Sequence, residues 1–85
     1  MHMADHVAKT LTEFGWRVET PGTYAKRIPC FADAGEFSDG TRVVRLRIDE
    51  NGRWLERIDG WGHVERDVDL RDYDAPRDAI NAALD

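Results

Sequence analysis

The C-terminal third of the chain is rich in closely spaced carboxylates, the groups most often used for acid–base chemistry. Five of them run along one predicted strand and into the loop that follows: Glu65, Asp67, Asp69, Asp72 and Asp74. General acid–base catalysis needs two carboxyl groups in different environments, held in a cleft, so that their pKa values separate. Acids at alternate positions of a strand instead point the same way into solvent. We therefore interpret these five residues as an acidic surface that binds a partner, and we predict no catalytic residue.

Nucleophilic and metal chemistry have weaker support. Cys30 is the single cysteine and stands in an apolar segment without a neighbouring histidine signature, so we interpret it as a small core residue. His63 and Glu65 would place two metal-ligand types on one strand face, but no second pair has the spacing of a metal site. We predict no metal and no cofactor. One alternative stays open, a small ligand binder or enzyme with Glu56 or His63 in a pocket.

Four arginines of one predicted hairpin could instead hold phosphate groups. With the register argued below they all point outward: Arg45, Arg47, Arg53 and Arg57. Since Tyr24, Phe37 or Trp61 could stack bases, a nucleic-acid-binding module is the second hypothesis. Charge argues against it. The chain has 12 Lys or Arg and 17 Asp or Glu, a net charge of −5, and residues 59–85 carry that whole excess. Acids on the next strand would neutralise the arginines, and the net charge repels nucleic acid.

Helices are predicted at both ends of the chain. Apolar residues at positions 4, 7, 8, 11 and 14 recur with helical spacing, and Gly15 stands where a left-handed residue ends a helix. Near the C-terminus, Asp74 can cap the first amides of a helix that has Pro76 in its first turn. The apolar stripe of this second helix comprises Ala79, Ile80, Ala83 and Leu84.

The stretch between the helices is predicted to form an antiparallel sheet. Alternating polarity and turn signals indicate strands at residues 16–20, 23–31, 42–49, 53–59 and 63–70. Pro21-Gly22 turns the first hairpin, and Pro29 belongs at a sheet edge or at a strand end because it lacks a backbone donor. Residues 32–41 are predicted to form a loop. The last strand is expected to bury Val64, Val68 and Leu70.

The register of the hairpin around residues 50–52 decides which side chains are buried. A two-residue turn pairs Arg47 with Glu56, whereas a three-residue turn with a left-handed glycine pairs Ile48 with Trp54. Burying a tryptophan and an isoleucine is worth several kcal/mol at about 25 cal/mol per Å², and an exposed ion pair only about 0–1 kcal/mol. We therefore predict the three-residue turn, which points Glu56 toward the core. The buried face then comprises Val7, Leu11, Phe14, Val44, Leu46, Ile48, Trp54 and Ile58.

These elements predict an α+β fold with an N-terminal helix, a four- or five-stranded antiparallel sheet and a C-terminal helix, both helices on one sheet face. The 85 residues suffice for a single domain, residues 1–85. The pair His2-Met3 is what a common cloning site encodes, so we interpret residues 1–2 as derived from cloning. No apolar run approaches the roughly 18 residues of a membrane span, and one cysteine forms no intramolecular disulfide. We expect a cytoplasmic protein without a membrane partner.

The profile of a small, acidic, single domain without a catalytic constellation is typical of accessory proteins that bind another protein. Products of phages or mobile elements, inhibitors of host defence and immunity proteins share it, an association by type alone. The first hypothesis is therefore a protein-interaction module that binds a partner with a basic surface, itself a monomer or a homodimer. Nucleic acid is the weaker partner candidate because of the net charge.

Overall fold

The computed structural model describes residues 2–29 and 41–85, and it confirms the predicted fold class. In chain order the elements are helix α1 (Met3–Glu13), strands β1 (Arg17–Thr20), β2 (Thr23–Pro29), β3 (Thr41–Ile48), β4 (Trp54–Ile58) and β5 (Val64–Asp69), a 3₁₀ turn (Leu70–Asp72) and helix α2 (Pro76–Leu84). Each strand pairs antiparallel with the next, in the order β1-β2-β3-β4-β5. Cys30, Phe37 and the predicted loop lie outside the described residues, apart from Thr41, which begins β3.

The end of α1 follows directly from its sequence. Gly15 has a φ of +88°, and its N–H donates to the carbonyl of Thr12. The N–H of Trp16 donates to the carbonyl of Leu11, and both of these side chains are buried. This is the Schellman arrangement, in which a left-handed residue and an apolar contact end the helix together. The predicted helix and its end are confirmed.

Helix α2 begins differently from the prediction. Ala75 occupies the N-cap position with an extended backbone, and no side chain bonds to the first amides of the helix. Asp74 therefore does not cap α2, because it lies one residue too early in the chain. The apolar stripe is as predicted, since Ala79, Ile80 and Ala83 are buried.

The predicted register of the β3–β4 hairpin is wrong by one residue. Arg47 pairs with Glu56 and Ile48 with Leu55, which is the register of the rejected two-residue turn. The loop is longer, however, and runs from Glu50 to Arg53. Asp49 explains it, because its Oδ1 accepts the backbone N–H groups of Arg53 (2.7 Å) and Trp54 (2.8 Å). The side chain of Asp49 thus replaces a ladder bond. Gly52 is left-handed as predicted, with a φ of +69°.

Because of this shift in register, every side chain of β4 lies on the opposite face of the sheet from the one predicted. Leu55 is fully buried, while Trp54 and Ile58 are only partly buried and lie on the opposite face. Leu55 packs in one cluster with Val44, Leu46, Val7 and Leu11. Phe14 is 43% exposed, so it does not belong to the core. The expectation that Trp54, Ile58 and Phe14 are core residues is therefore wrong.

Arg57 lies on the side of the sheet that faces the helices, where the expected register would have placed an apolar residue. Its Nη1 donates to the carbonyls of Leu84 (3.1 Å) and Asp85 (3.3 Å) at the end of α2. A cation is stabilising there, because the last carbonyls of a helix lack intrahelical donors and carry partial negative charge. Its Nε also lies 3.2 Å from Glu65 Oε2, in an ion pair that lacks the alignment of a hydrogen bond.

A second burial prediction, that of Val64, is wrong because β5 begins with a bulge. Arg57 pairs with Arg66, but Ile58 pairs with Val64, so Glu65 is an extra residue between them. Val64 therefore shares the face of Ile58 and is 44% exposed rather than buried. Val68 and Leu70 are buried as predicted.

Candidate functional site

The sheet face opposite the two helices, which we call the uncovered face, carries several of the predicted site residues. It receives every second side chain of each strand, including Arg45 and Arg47 from β3 and Glu56 from β4. Arg45 Nε donates to Glu19 Oε1 (2.7 Å), and Arg47 Nε donates to Glu56 Oε1 (2.9 Å). Glu56 thus lies on the uncovered face and is paired, which corrects the expectation that it points toward the core.

The four arginines of the nucleic-acid hypothesis do not form one outward stripe. Arg53 stacks on the ring of Trp54, with its guanidinium carbon 5.1 Å from the ring centroid, and pairs with Asp69 at 3.2 Å. Arg57 lies on the helix side, as described above, because the register places it there. All four arginines lie within 4 Å of a carboxylate, respectively those of Glu19, Glu56, Asp69 and Glu65.

Asp69 has a structural role that the sequence pattern did not reveal. Its side chain is 12% exposed and accepts a hydrogen bond from the backbone N–H of Arg71 (3.0 Å). Asp69 thereby caps the start of the 3₁₀ turn. The guanidinium of Arg71 lies 3.0 Å away and that of Arg53 3.2 Å away. The side-chain hydrogen bond from Arg71, then its backbone N–H, lowers the pKa of Asp69 to about 2. Such a carboxylate is already engaged within the fold.

The other acids of the predicted surface differ in how far they are engaged. Glu65 is 48% exposed and pairs with Arg57. Asp67, Asp72 and Asp74 are exposed, and no Lys or Arg of the described residues lies within 4 Å of their carboxylates. Asp67 also lies directly opposite Glu56 across the strands. Glu56 is paired with Arg47, whereas Asp67 has no Lys or Arg of the described residues within 4 Å, so this end of the surface retains negative charge.

The β4–β5 turn presents a tryptophan to solvent. Trp61 is 87% exposed, although its turn is well fixed. Asp59 Oδ1 accepts the backbone N–H groups of Trp61 and His63, each at 2.8 Å, and these bonds lower the pKa of Asp59. Gly62 supplies the positive φ, +84°, that the turn requires. A side chain that could have been left in a flexible loop is instead held by a defined backbone.

Two half-exposed valines lie on the uncovered face, on the strands nearest this turn. Val43 is 43% exposed and Val64 is 44% exposed, and Ile58 lies between them, paired with Val64 and diagonal to Val43. We call Val43, Ile58, Trp61 and Val64 the tip patch. Sequence analysis named Trp61 only as a base-stacking candidate and expected Val64 and Ile58 to be buried. The missed signal was a tryptophan between two glycines, outside any apolar alternation.

The two residues of the ligand-pocket alternative, Glu56 and His63, have different surroundings. The side chain of His63 is 80% exposed and its Nδ1 lies 3.6 Å from Asp59 Oδ2. Glu56 borders a concavity of about 540 Å³ beside Arg47 and Glu50 that is open to solvent. Within residues 2–29 and 41–85, no three His, Cys, Asp or Glu side chains converge as a metal site requires. In the same part of the chain, no helix is long and apolar enough to cross a membrane.

Comparison with known proteins adds no functional assignment. No protein-family model, no curated protein and no solved structure matches this chain. The geometry of the uncovered face is therefore the basis for a functional proposal.

Proposed function

We propose that this protein acts by binding another protein, and that the tip patch is the centre of the interface. The single observation that carries the proposal is Trp61, an 87% exposed indole on a turn that Asp59 and Gly62 hold in place. Tryptophan is enriched among the residues that dominate binding energy at protein interfaces. Exposed apolar surface typically marks an interaction site when several such residues lie on one side of the molecule.

The fixed turn lowers the cost of using Trp61 as an anchor. Binding has to immobilise the groups that make contact, and each flexible side chain or loop adds to that cost. Here the backbone of the turn is already ordered by the two bonds to Asp59 and by the N–H of Gly62, which donates to the carbonyl of Asp59 (3.1 Å). Only the indole torsions remain to be ordered.

The exposed acids favour a partner whose surface is basic around an apolar pocket. Residues 59–85 contain three basic and eight acidic residues, a net charge of −5. Glu65 and Asp67 follow the tip patch on β5, and Asp72 and Asp74 continue from the 3₁₀ turn toward α2. Charges of this kind mainly raise the association rate and select the partner, while a buried aromatic anchor slows dissociation.

Pairing of two copies through β5 is disfavoured by the charges on that strand. Antiparallel pairing centred on Arg66 would place Glu65 opposite Asp67 of the second copy, and pairing centred on Asp67 would place two Asp67 carboxylates together. Like charges directly opposite destabilise a strand pair. A different protein is therefore the better partner for this edge of the sheet.

The proposal is tested by affinity capture from the native host with three baits: the wild type, Trp61→Ala and Phe14→Ala. Phe14 is the matched control, because it is an exposed aromatic residue on the helix side, 43% exposed. We expect one protein to be retained by the wild type and by Phe14→Ala, and to be lost with Trp61→Ala.

The identified partner then allows a quantitative measurement. With purified components, Trp61→Ala should raise the Kd about 30-fold or more, as expected for a hot spot worth at least 2 kcal/mol. Its unfolding free energy should stay within about 0.5 kcal/mol of the wild type, because the indole packs against little. A partner that binds Trp61→Ala as tightly as the wild type would contradict the proposal, and so would retention of nucleic acid or lipid alone.

A further inference from the structure

A second concave surface lies at the other side of the uncovered face, where β1, β2 and β3 meet. It is a depression open to solvent, with a volume of about 250 Å³. We call it the basic concavity, and its lining residues are Gly15, Arg17, Ala25, Lys26, Arg27, Val43 and Arg45. Four of these seven residues are cationic, and none is acidic.

The sheet register builds this concavity. Ala25 pairs with Arg17 on one side and with Arg45 on the other, so the three residues form one row across three strands. Arg27 follows two residues later on β2 and therefore points to the same face. The small side chain of Ala25 leaves a depression between longer neighbours, and it is only 3% exposed. Three arginines thus surround an alanine floor.

The cations of the basic concavity are only partly neutralised within the described residues. Glu19 Oε1 lies 2.7 Å from Arg45 Nε, and Glu19 Oε2 lies 3.9 Å from Arg17 Nη2. Lys26 alternates with Ala25 and Arg27 and pairs with the buried Val44, so its side chain points to the helix side of the sheet, where its Nζ donates to the backbone carbonyl of Phe14 at 2.8 Å. Three arginines with one carboxylate nearby form a positive site on a chain whose net charge is −5. A cleft lined by one sign of charge raises the local concentration of the opposite ion.

We propose that the basic concavity binds a small phosphate-bearing anion, such as inorganic phosphate, pyrophosphate or a phosphate monoester. Arginine suits this ligand class because its planar guanidinium donates two parallel hydrogen bonds to phosphate oxygens. The volume suits one or two phosphate groups and falls below the roughly 300–1,000 Å³ of sites for drug-sized ligands. The negative charge of the whole chain repels a long polyanion more than a small one, which favours the small ligand over nucleic acid.

The proposal rests on observations other than those that carry the protein-binding proposal, although Val43 borders both surfaces, and it is tested with defined anions. Inorganic phosphate and pyrophosphate are titrated separately into ¹⁵N-labelled protein at constant ionic strength, and the backbone amide shifts are followed. We expect saturable shifts centred on Gly15, Ala25 and Val43. Pyrophosphate should bind several-fold more tightly than phosphate, because it presents charge to more than one arginine.

Three variants locate the site. Arg17→Gln should weaken pyrophosphate binding up to about five-fold, the upper range for one exposed charge pair. Ala25→Leu fills the depression and should abolish saturable binding, and Arg27→Gln provides the same test as Arg17→Gln should the leucine variant not fold. Arg53→Gln is the matched control, since it removes the same charge from an arginine paired with Asp69. It should leave the affinity within about two-fold of the wild type.

Two results would overturn the proposal. Shifts that increase without saturation, or an equal weakening by Arg53→Gln and Arg17→Gln, would reduce the effect to general electrostatics. A short single-stranded oligonucleotide that shifts the same amides at lower concentration than pyrophosphate, with a steep salt dependence, would assign the concavity to nucleic acid instead.

Discussion

Asp67 and Asp69 lie two residues apart on β5 and face the same way, yet their carboxylates have different surroundings. Asp69 accepts the backbone N–H of Arg71 and lies within ion-pair distance of two guanidinium groups. Asp67 pairs across the strands with Glu56, whose own carboxylate is bound by Arg47. At the scale of residues, an alternating acidic pattern therefore combines a group that holds the fold together with one that is available to a partner.

The lowered pKa of Asp69 predicts a pH dependence of stability. The group has a pKa of about 2 in the folded protein against an ordinary value of 3.8, so the folded state favours the ionised form. Its contribution is complete above about pH 4 and is lost as the pH falls toward 2. We expect Asp69→Asn to be less stable than the wild type at pH 5 and the difference to narrow steadily toward pH 2.

Urea unfolding of both proteins at several pH values measures this difference. Asp67→Asn is the matched control, because it removes the same charge from the same strand face without losing the bonds to Arg71. A constant gap between Asp69→Asn and the wild type from pH 5 to pH 2 would show that the ionised form of Asp69 contributes nothing to stability.

At the scale of elements, the face that β4 buries is decided at its turn and at its far end. Asp49 bonds to the amides of Arg53 and Trp54, which lengthens the loop, and Arg57 reaches the end of α2. Buried apolar area weighed against surface ion pairs favours burial of Trp54. Three further interactions favour the opposite face: the side-chain bonds of Asp49, the bond from Arg57 to α2, and the burial of Leu55 in the core in place of Trp54.

The register predicts which of two adjacent residues matters more for stability. Leu55→Ala removes a fully buried side chain and should cost about 3–5 kcal/mol of unfolding free energy. Trp54→Ala should cost less, even though tryptophan is larger, because its ring is only partly buried and stacks under Arg53 at the surface.

Chemical denaturation of the two alanine variants provides the measurement. Val64→Ala is a useful control, since its 44% exposed side chain should contribute about 1 kcal/mol or less. A larger loss for Trp54→Ala than for Leu55→Ala would contradict the register described here.

At the scale of the whole molecule, opposite charges occupy opposite sides of the uncovered face. The basic concavity lies at β1–β3, whereas the acids without a cationic partner among the described residues follow β5 and the segment before α2. The net charge of the whole chain, −5, gives no indication of this separation. Each side can therefore attract a ligand of the opposite charge.

The acidic side predicts how association with the protein partner responds to charge. The variant Asp67→Asn, Asp72→Asn, Asp74→Asn should slow association at low salt and leave dissociation nearly unchanged. Asp69 is excluded from the set because its neutralisation would perturb the fold. Salt should reduce the difference from the wild type, because screening limits the reach of these charges to about 8 Å at physiological ionic strength.

Association and dissociation kinetics at two salt concentrations separate this effect from that of the tip patch. Trp61→Ala should instead speed dissociation and change the association rate little. An association rate of the triple variant equal to that of the wild type at low salt would show that the acids do not steer the partner.

The amino-acid sequence alone determined both helices, the approximate positions of the strands and their antiparallel class. These features depend on interactions between near neighbours, such as the apolar spacing that precedes Gly15 and the turn at Pro21-Gly22. The acidic C-terminal third and the arginine-rich hairpin were also evident, because composition and alternation do not depend on distant contacts.

Only the tertiary structure decided which face of β4 is buried, which carboxylates are paired and that Trp61 is exposed. Two alternative registers differ by a shift of one residue, and that shift moves every side chain of β4 to the opposite face. The bonds of Asp49 and the bond from Arg57 to the distant carbonyl of Leu84 favour the register that the structure has. The pairing of Arg45 with Glu19 joins residues 26 positions apart. Such contacts arise from the packing of the sheet and the helices, and local sequence patterns do not encode them.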